Sequence, residues 1–298
     1  MNMATIIPAR ASGKGIALVL FAMLVLATMD AINKLLVEHY AIPQLLWIRF
    51  AIFCLFALVW TRTNPLRLAR QSLRPKLQIF RGVLLVFEIG VFVLAFSYLP
   101  LADTHAIGAT APLIVTILAI PMLGERVGIH RWTAIIVGFF GAMIIIRPGF
   151  SEADPAMLIA VAAAVIFALY QVLSRMVAVD PGRITLIYTA TVGFILLSFV
   201  APFYWKPMTA EHWGLMIYSG IMGAAGHFSL IKAFEITPAS SLQPFTYALL
   251  VFAAIAGWLV FGHIPDGFTF LGAAIITLSG LYVWFREHRD ALRASRES

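Results

Sequence analysis

Charged and polar side chains that could bind a ligand lie inside long apolar stretches of this sequence. Asp30, Asn33 and Lys34 are three and four residues apart in TMDAINKLLVEH, so they share one face if this stretch is a helix. Arg49 and Glu88 have similarly apolar neighbours. A carboxylate can hold an ammonium group, and a guanidinium can hold a carboxylate. These residue types therefore indicate a site for a ligand that carries both charges.

The composition shows which solvent surrounds these residues. Of 298 residues, 61% are hydrophobic and 12% are charged, whereas about 25% are charged in an ordinary soluble chain. The mean hydropathy is +0.93. A soluble fold of this length has too little interior for so much apolar surface, so lipid is the expected solvent and the bilayer is the first partner. The net charge of +7 comes from loops and indicates no nucleic-acid partner.

Ten apolar stretches are long enough to cross a bilayer, at roughly 20 residues for each crossing. Proline, glycine and charged residues separate them. The predicted fold is therefore an all-α integral membrane protein with ten transmembrane helices. The predicted spans are residues 15–37, 43–61, 77–98, 101–123, 128–147, 155–177, 183–203, 210–235, 238–262 and 265–286.

The distribution of Lys and Arg predicts the orientation. Most of the 21 Lys and Arg residues fall in segments that share one side with the N-terminus, and Arg81 is counted among them. The positive-inside rule then places both tails, residues 1–14 and 287–298, in the cytoplasm. The expected location is the bacterial inner membrane. Lys34 lies near the outer end of its span and is expected to snorkel to the interface.

An internal repeat divides the chain. AFSYLP at 95–100 recurs as AFEITP at 233–238, and the same offset of 138 relates Gly124 to Gly262. The repeat unit holds five predicted helices, an odd number, so the second copy must enter the membrane from the opposite side. We therefore predict two inverted five-helix repeats, residues 15–147 and 155–286. Inverted repeats are typical of secondary transporters.

Several stretches resemble one known family. These are LPLADTHAIGATAP at 99–112, PMLGERV at 121–127 and HRWTAIIVGFFGAMIII at 130–146. They are similar to the EamA type of the drug/metabolite transporter superfamily, and within it the chain resembles bacterial amino-acid exporters of the YddG type. The resemblance implies a ten-helix exporter of small metabolites or drugs, with no ATPase part and no cofactor.

Candidate site residues follow from depth in the spans and from the repeat. Glu88 lies near the middle of the third span, and His227 lies at a similar depth in the eighth. The predicted substrate-binding residues are Glu88, His227, Gln243, Tyr247, Tyr170, Gln171 and Asn33. Asp30, Lys34 and Arg49 are predicted to form a gating or structural charge network. In the structural alternative, Arg49 is tied to Glu88 or Asp30.

The repeat also relates residues in different spans. Asn33 and Gln171 are 138 apart, so we expect them at the outer and inner mouths of a cavity. Pro112 and Pro244 interrupt the fourth and ninth spans and are predicted hinges, because a proline leaves a carbonyl of the preceding turn without its donor. Interrupted helices in corresponding positions of two halves indicate a transporter's binding site.

The predicted function is secondary transport by alternating access, exporting small metabolites such as neutral and aromatic amino acids. An exporter of lipophilic cationic drugs is the alternative, and a channel or a non-transporting membrane protein is the rival of another class. The sequence has no HExxH, GxSxG or Walker A motif, and Cys54 is its single cysteine, so neither an enzyme nor a metal site is expected. Proton antiport through Glu88 or His227 and facilitated diffusion both fit.

Overall fold

The structure is a computed structural model that describes residues 12–61, 64–124, 127–147, 154–237, 242 and 245–297. All regular secondary structure in these ranges is helical. The helices are α1 (Gly13–Val37), α2 (Ile42–Thr61), α3 (Pro65–Ala69), α4 (Pro75–Tyr98), α5 (Leu101–Gly108), α6 (Ala111–Leu123), α7 (Ile129–Ile146), α8 (Met157–Met176), α9 (Gly182–Ser198), a 3-10 turn (Ala201–Tyr204), α10 (Ala210–Ile236), α11 (Ala248–Phe261) and α12 (Gly267–Glu297).

Each of the ten predicted spans contains at least one of these helices. Among the described residues, six segments are long and apolar enough to cross a membrane, and three shorter helices are also apolar. The all-helical membrane architecture is therefore confirmed, while the count of ten crossings stays a prediction. The six segments are Gly13–Val37, Ile42–Thr61, Pro75–Tyr98, Leu101–Leu123, Met157–Met176 and Gly267–Arg286.

The fourth predicted span is broken in the structure. α5 ends at Gly108 and α6 begins at Ala111, with Pro112 in the first turn of α6. Pro112 has no N–H to donate to the carbonyl of Gly108. At the same break, the Thr110 hydroxyl donates to the carbonyl of Ile107 at 2.7 Å. The predicted interruption at Pro112 is confirmed. Its partner Pro244 lies outside the described residues.

The most extensive helix contacts join the two parts of the chain. α1 packs along α10, α4 along α8, α2 along α9 and α7 along α12. Each pair combines a helix from the first half with one from the second. Large apolar side chains such as Phe21, Phe87, Phe139 and Phe270 remain exposed on the outside of the bundle, as expected for surfaces that face lipid.

The bundle has two ends, which we name after buried cations. The Lys34 end holds the end of α1 and the start of α2, α5 and α10. The Arg81 end holds the start of α4 and α9 and the end of α8. The contacts of these two cations join helix ends that lie at the same end of the bundle. Lys34 meets carbonyls at the end of α4, and Arg81 meets Ser174 at the end of α8.

Glycines allow α7 and α12 to approach backbone to backbone. A Cβ on Gly272 would lie 2.5 Å from the carbonyl oxygen of Gly141, and one on Gly141 would lie 2.9 Å from the carbonyl oxygen of Gly272. Lipid supplies no hydrophobic driving force between helices, so close packing of small residues is their main attraction. On α10, Gly226 packs against the side chain of Leu26 of α1, where a Cβ would lie 2.9 Å from the Leu26 Cγ.

We expect Gly272→Ala to destabilise the protein by about 1–3 kcal/mol, because the new methyl group meets a backbone oxygen that has no room to move. Thermal unfolding of the purified protein in detergent measures this as a lower midpoint temperature. Gly182→Ala is the control, since no atom lies within 4 Å of the position of its Cβ. Equal midpoints for the two variants would contradict the close crossing.

Candidate functional site

One polar stripe on α4 organises the interior. Gln78, Arg81 and Glu88 share a face of this helix, because spacings of three and seven residues return to the same side. All three are buried, whereas Phe80 and Phe87, next to them in sequence, are more than half exposed. α4 is therefore polar towards the protein and apolar towards lipid, which avoids the cost of exposing charges to hydrocarbon.

Four ionisable side chains from four helices meet near the middle of the bundle. Asp30 comes from α1, Arg49 from α2, Glu88 from α4 and His227 from α10. Arg49 interacts electrostatically with both carboxylates, and His227 interacts with Arg49 and Asp30. We call these four residues the central charged group. The predicted residues Asp30, Arg49, Glu88 and His227 are thus brought together.

No direct salt bridge within 4 Å joins members of the central charged group, and the structure describes all four residues. The expected tie of Arg49 to Glu88 or Asp30 is therefore an interaction across a gap and not an ion-pair contact. His227 has exposed surface deep within α10. It lies on the α10 face whose glycines contact Met29 and Ile52, so this surface points between α1 and α2. The arrangement leaves these charges available to a ligand.

Asp30 has one close partner, His105 of α5. The carboxylate oxygen and His105 Nε2 are 3.3 Å apart, but they are not aligned for a hydrogen bond. His105 is buried and lies between the rings of Phe92 and Phe96, at 5.3 and 5.7 Å between centroids. His105 was not among the site residues predicted from the sequence. Its only signal was an imidazole within the apolar fourth span.

Lys34 does not snorkel, and that expectation is wrong. Its side chain is buried, and Nζ donates hydrogen bonds to the carbonyls of Phe96 at 2.5 Å and Leu99 at 2.7 Å. The last carbonyls of a helix lack partners and carry a negative partial charge. Pro100 follows and has no N–H to offer. Lys34 therefore caps α4 and links it to α1.

Asn33 and Gln171 occupy different surroundings. Asn33 is buried between α1 and α10, where its Oδ1 accepts a hydrogen bond from Ser219 Oγ at 3.2 Å, and its Nδ2 has no partner. Gln171 is half-buried on α8. Residue 219 is also 138 positions after Arg81, and Arg81 contacts Ser174, a neighbour of Gln171 on α8. The contact of α1 with α10 thus mirrors that of α4 with α8.

Tyr170 belongs to a second cluster, at the Arg81 end. Its hydroxyl accepts a hydrogen bond from Arg81 NH1 at 2.8 Å, and the guanidinium carbon lies 5.1 Å from the centre of its ring. Arg81 is fully buried between α4, α8 and α9, so it is not an exposed charge of the segment in which it was counted. Counting charges identifies basic segments but not side chains that point inwards.

Tyr247 packs against α12. Its hydroxyl packs where a Cβ of Gly280 on α12 would be, which explains why residue 280 is a glycine. Gln243, the other predicted site residue in this part of the chain, lies outside the described residues together with Pro244.

A polar clamp joins the two halves at the Arg81 end. The Asp180 carboxylate accepts hydrogen bonds from Ser72 Oγ at 2.5 Å, Leu73 N at 2.8 Å and Gln78 Nε2 at 2.9 Å. Burial alone would raise the pKa of Asp180, but these hydrogen bonds and the nearby charge of Arg74 outweigh it and lower the pKa. The clamp connects the loop before α4 to the loop between α8 and α9.

Comparison with known proteins identifies relatives over nearly the whole chain. The model of the EamA-like transporter family matches residues 13–147 and, separately, residues 154–285. A riboflavin transporter of Vibrio cholerae is 31% identical over 249 residues, which cover 83% of this chain and 84% of that protein. An S-adenosylmethionine uptake transporter of Rickettsia bellii is 30% identical over 279 residues, covering 92% and 94%.

Two further similarities are more distant. The pseudopaline exporter CntI of Pseudomonas aeruginosa is 26% identical over 267 residues, covering 88% of this chain and 93% of that protein. A solved crystal structure has a similar fold, with a TM-score of 0.61 and 20% identity, and it covers 91% of this chain and 97% of its own. The three relatives are named as transporters, but none as a YddG-type amino-acid exporter, so that narrower resemblance is not supported.

We expect Asp180→Asn to lower stability at pH 7 by about 2 kcal/mol, because both carboxylate oxygens accept hydrogen bonds and the NH2 group that replaces one of them cannot accept any. The folded pKa lies below the unfolded value near 3.9. The stabilisation is therefore complete above about pH 4 and disappears as the pH falls through the folded pKa. Unfolding midpoints in detergent at several pH values measure the gap between wild type and variant.

The exposed Glu211→Gln serves as the control for that series. A gap between wild type and Asp180→Asn that is absent at pH 7, or that widens on acidification, would contradict the clamp.

Proposed function

The chain belongs to the EamA-like transporter family, and from this premise we propose that it carries a small zwitterionic metabolite across the membrane. The central charged group would bind the substrate. Glu88 or Asp30 would hold an ammonium group, and Arg49 would hold a carboxylate. His227 and the half-buried Tyr170 and Gln171 would line its path. No metal or cofactor enters this proposal.

One observation carries the proposal. The central charged group combines two carboxylates, a guanidinium and an imidazole without a direct ion pair among them. Charges buried in a membrane normally pair, since leaving them unpaired is costly. Groups of both signs that are close but not in contact can be bridged by a ligand with both signs. A purely structural network would gain more from closing these gaps.

The relatives suggest which metabolites to test. S-adenosylmethionine carries an α-amino-acid group, so the Rickettsia bellii transporter has a substrate of the proposed class by name. We propose neutral and aromatic amino acids and their larger derivatives as substrates, with export as the direction. A lipophilic cation would need only one of the carboxylates, and it would leave Arg49 without a role in binding.

We further propose ten transmembrane helices in two inverted repeats, residues 15–147 and 155–286. The pairing of helices across the two halves supports this. The family model also matches the chain twice. Gly124 and Gly262, which are 138 residues apart, each end a helix in the left-handed conformation with φ 69°. The same local structure therefore terminates α6 and α11.

The proposed orientation places the Arg81 end in the cytoplasm, together with both termini, and the protein in the inner membrane. The positive-inside rule supports this orientation. Arg67, Arg70 and Arg74 precede α4 at this end, and Arg175 ends α8. Alternating access would then require the Arg81 end and the Lys34 end to open in turn around the central charged group.

Counterflow into liposomes tests the proposal. We expect exchange of labelled phenylalanine, methionine or S-adenosylmethionine, and not of the lipophilic cation tetraphenylphosphonium. Glu88→Gln should slow exchange by about tenfold or more, the loss expected when a charged partner of the substrate is removed. Glu38→Gln, an exposed carboxylate at the end of α1, should retain the wild-type rate.

Exchange of tetraphenylphosphonium alone would favour the drug carrier, and a wild-type rate in Glu88→Gln would remove Glu88 from the site. The same liposomes under an imposed pH gradient distinguish the two forms of coupling. Accumulation against the substrate gradient indicates proton antiport, and equilibration alone indicates facilitated diffusion.

A further inference from the structure

Arg81 is a buried cation without a carboxylate partner among the described residues. Only 1% of its surface is exposed, and the salt bridges found in these ranges join other residues, His105 with Asp30 and Arg147 with Asp266. A guanidinium is always charged and is normally paired when it is buried. Its environment therefore requires an explanation beyond packing.

Neutral groups surround this guanidinium. NH1 donates to Tyr170 OH at 2.8 Å and to Ser174 Oγ at 3.4 Å, and NH2 donates to the Thr185 carbonyl at 3.1 Å and to Thr189 Oγ1. Nε is buried and has no acceptor. These contacts orient the cation but do not neutralise it, and one donor remains unused.

A carboxylate that contacts α4 one turn before Arg81 is occupied by other donors. Asp180 accepts hydrogen bonds from Ser72, Leu73 and Gln78, and Gln78 lies one turn before Arg81 on the same face of the helix. Both carboxylate oxygens are used in this clamp. Asp180 is thus bonded to a residue one turn from Arg81, but no salt bridge joins the two side chains.

The α8 residues beside Arg81 are not fully enclosed by the protein. On α8, Phe167 is exposed, while Tyr170, Gln171 and Ser174 are partly exposed. Phe167 and Tyr170 stack at 6.3 Å between ring centroids. This face offers hydroxyl, amide and aromatic groups next to the cation, which suits a polar ligand with an apolar part.

Arg81 is also in line with the central charged group. Glu88 lies seven residues further along α4 on the same face, about 10 Å away along the helix axis. A substrate that dissociates from Glu88 and moves towards the Arg81 end would next reach this guanidinium. The spacing suits successive positions along one path.

We propose that Arg81, with Tyr170, Ser174 and Thr189, is a second binding position for the carboxylate of the transported metabolite, at the Arg81 end. This inference rests on the proposed function and specifies an anionic group as part of the substrate. The carboxylate takes the unused donor of Nε and replaces the Thr189 hydroxyl on NH2, which are the two donors on one edge of the guanidinium, while NH1 keeps its contacts with Tyr170 and Ser174. The guanidinium gains its counter-charge only while substrate is passing.

The test uses the full-length protein with Cys54→Ser and a single new cysteine, Ser174→Cys. Its probes are two thiol reagents of similar size, the anionic sulfonatoethyl and the cationic trimethylammonioethyl methanethiosulfonate. We expect the anionic reagent to modify the cysteine at residue 174 about tenfold faster than a cysteine introduced by Ser97→Cys, a position at the other end of α4. The reason is that the buried positive charge of Arg81 attracts the reagent with little screening. Acetate should slow the reaction in the Ser174→Cys variant.

Added Arg81→Gln should abolish the preference for the anionic reagent, and Arg81→Lys should retain it. The lysine variant and the protection by acetate keep the test decisive if the glutamine variant does not fold. Three results would overturn the proposal: no reaction at residue 174 with either reagent, no preference for the anion, or a preference that Arg81→Gln leaves unchanged. Each would leave Arg81 as a structural link between α4, α8 and α9.

Neither reagent needs to be transported, so the outcome is independent of counterflow. Phenylalanine exchange without an anion preference at residue 174 would refute this inference alone. An anion preference without exchange of any tested metabolite would refute the proposed function and leave an anion site in the protein.

Discussion

The structure depends on where a charge can lie inside a membrane. An ionised side chain at the bilayer centre costs about 3 kcal/mol or more when it faces lipid. Asp30, Arg49 and Glu88 therefore have to point into the bundle. Small residues where helices cross, such as Gly141 and Gly272, allow the helices to pack closely although lipid supplies no hydrophobic driving force between them. Both the outer apolar surface and the polar interior follow from this constraint.

Buried charges at the two ends differ from those in the middle. Lys34 donates to carbonyls at the end of α4, Asp180 accepts three hydrogen bonds, and Arg147 forms a salt bridge with Asp266. These contacts hold helices from different parts of the bundle together. Arg49, Glu88 and Arg81 have no direct salt bridge among the described residues, and Asp30 has only the His105 ring. We infer that the contacts at the two ends stabilise the bundle and have to break when an end opens. The charges without a direct salt bridge would instead bind the substrate along its path.

Hydropathy and charge were sufficient to predict the helices and to select Asp30, Arg49, Glu88 and His227 as candidates, because membrane thickness and the cost of buried charge act on the sequence directly. That these four residues would form one group was not predicted. They were insufficient for Lys34, Arg81 and His105. Lys34 bonds to carbonyls left free where α4 ends before Pro100, and Arg81 is enclosed by α8 and α9. Those partners are distant in sequence, so only the packed structure defines them. The break at Pro112 was predictable because proline acts locally.

Opening of the Arg81 end is tested most directly with a disulfide across the polar clamp. Ser72 Oγ and the Asp180 carboxylate are 2.5 Å apart, so Ser72→Cys with Asp180→Cys in a Cys54→Ser background places two thiols in contact across the two halves. Counterflow of the labelled metabolite is measured after oxidation and again after reduction, with Ser72→Cys alone as the control. Alternating access predicts that the cross-link stops exchange and that reduction restores it. Full exchange through the cross-linked protein would contradict this account.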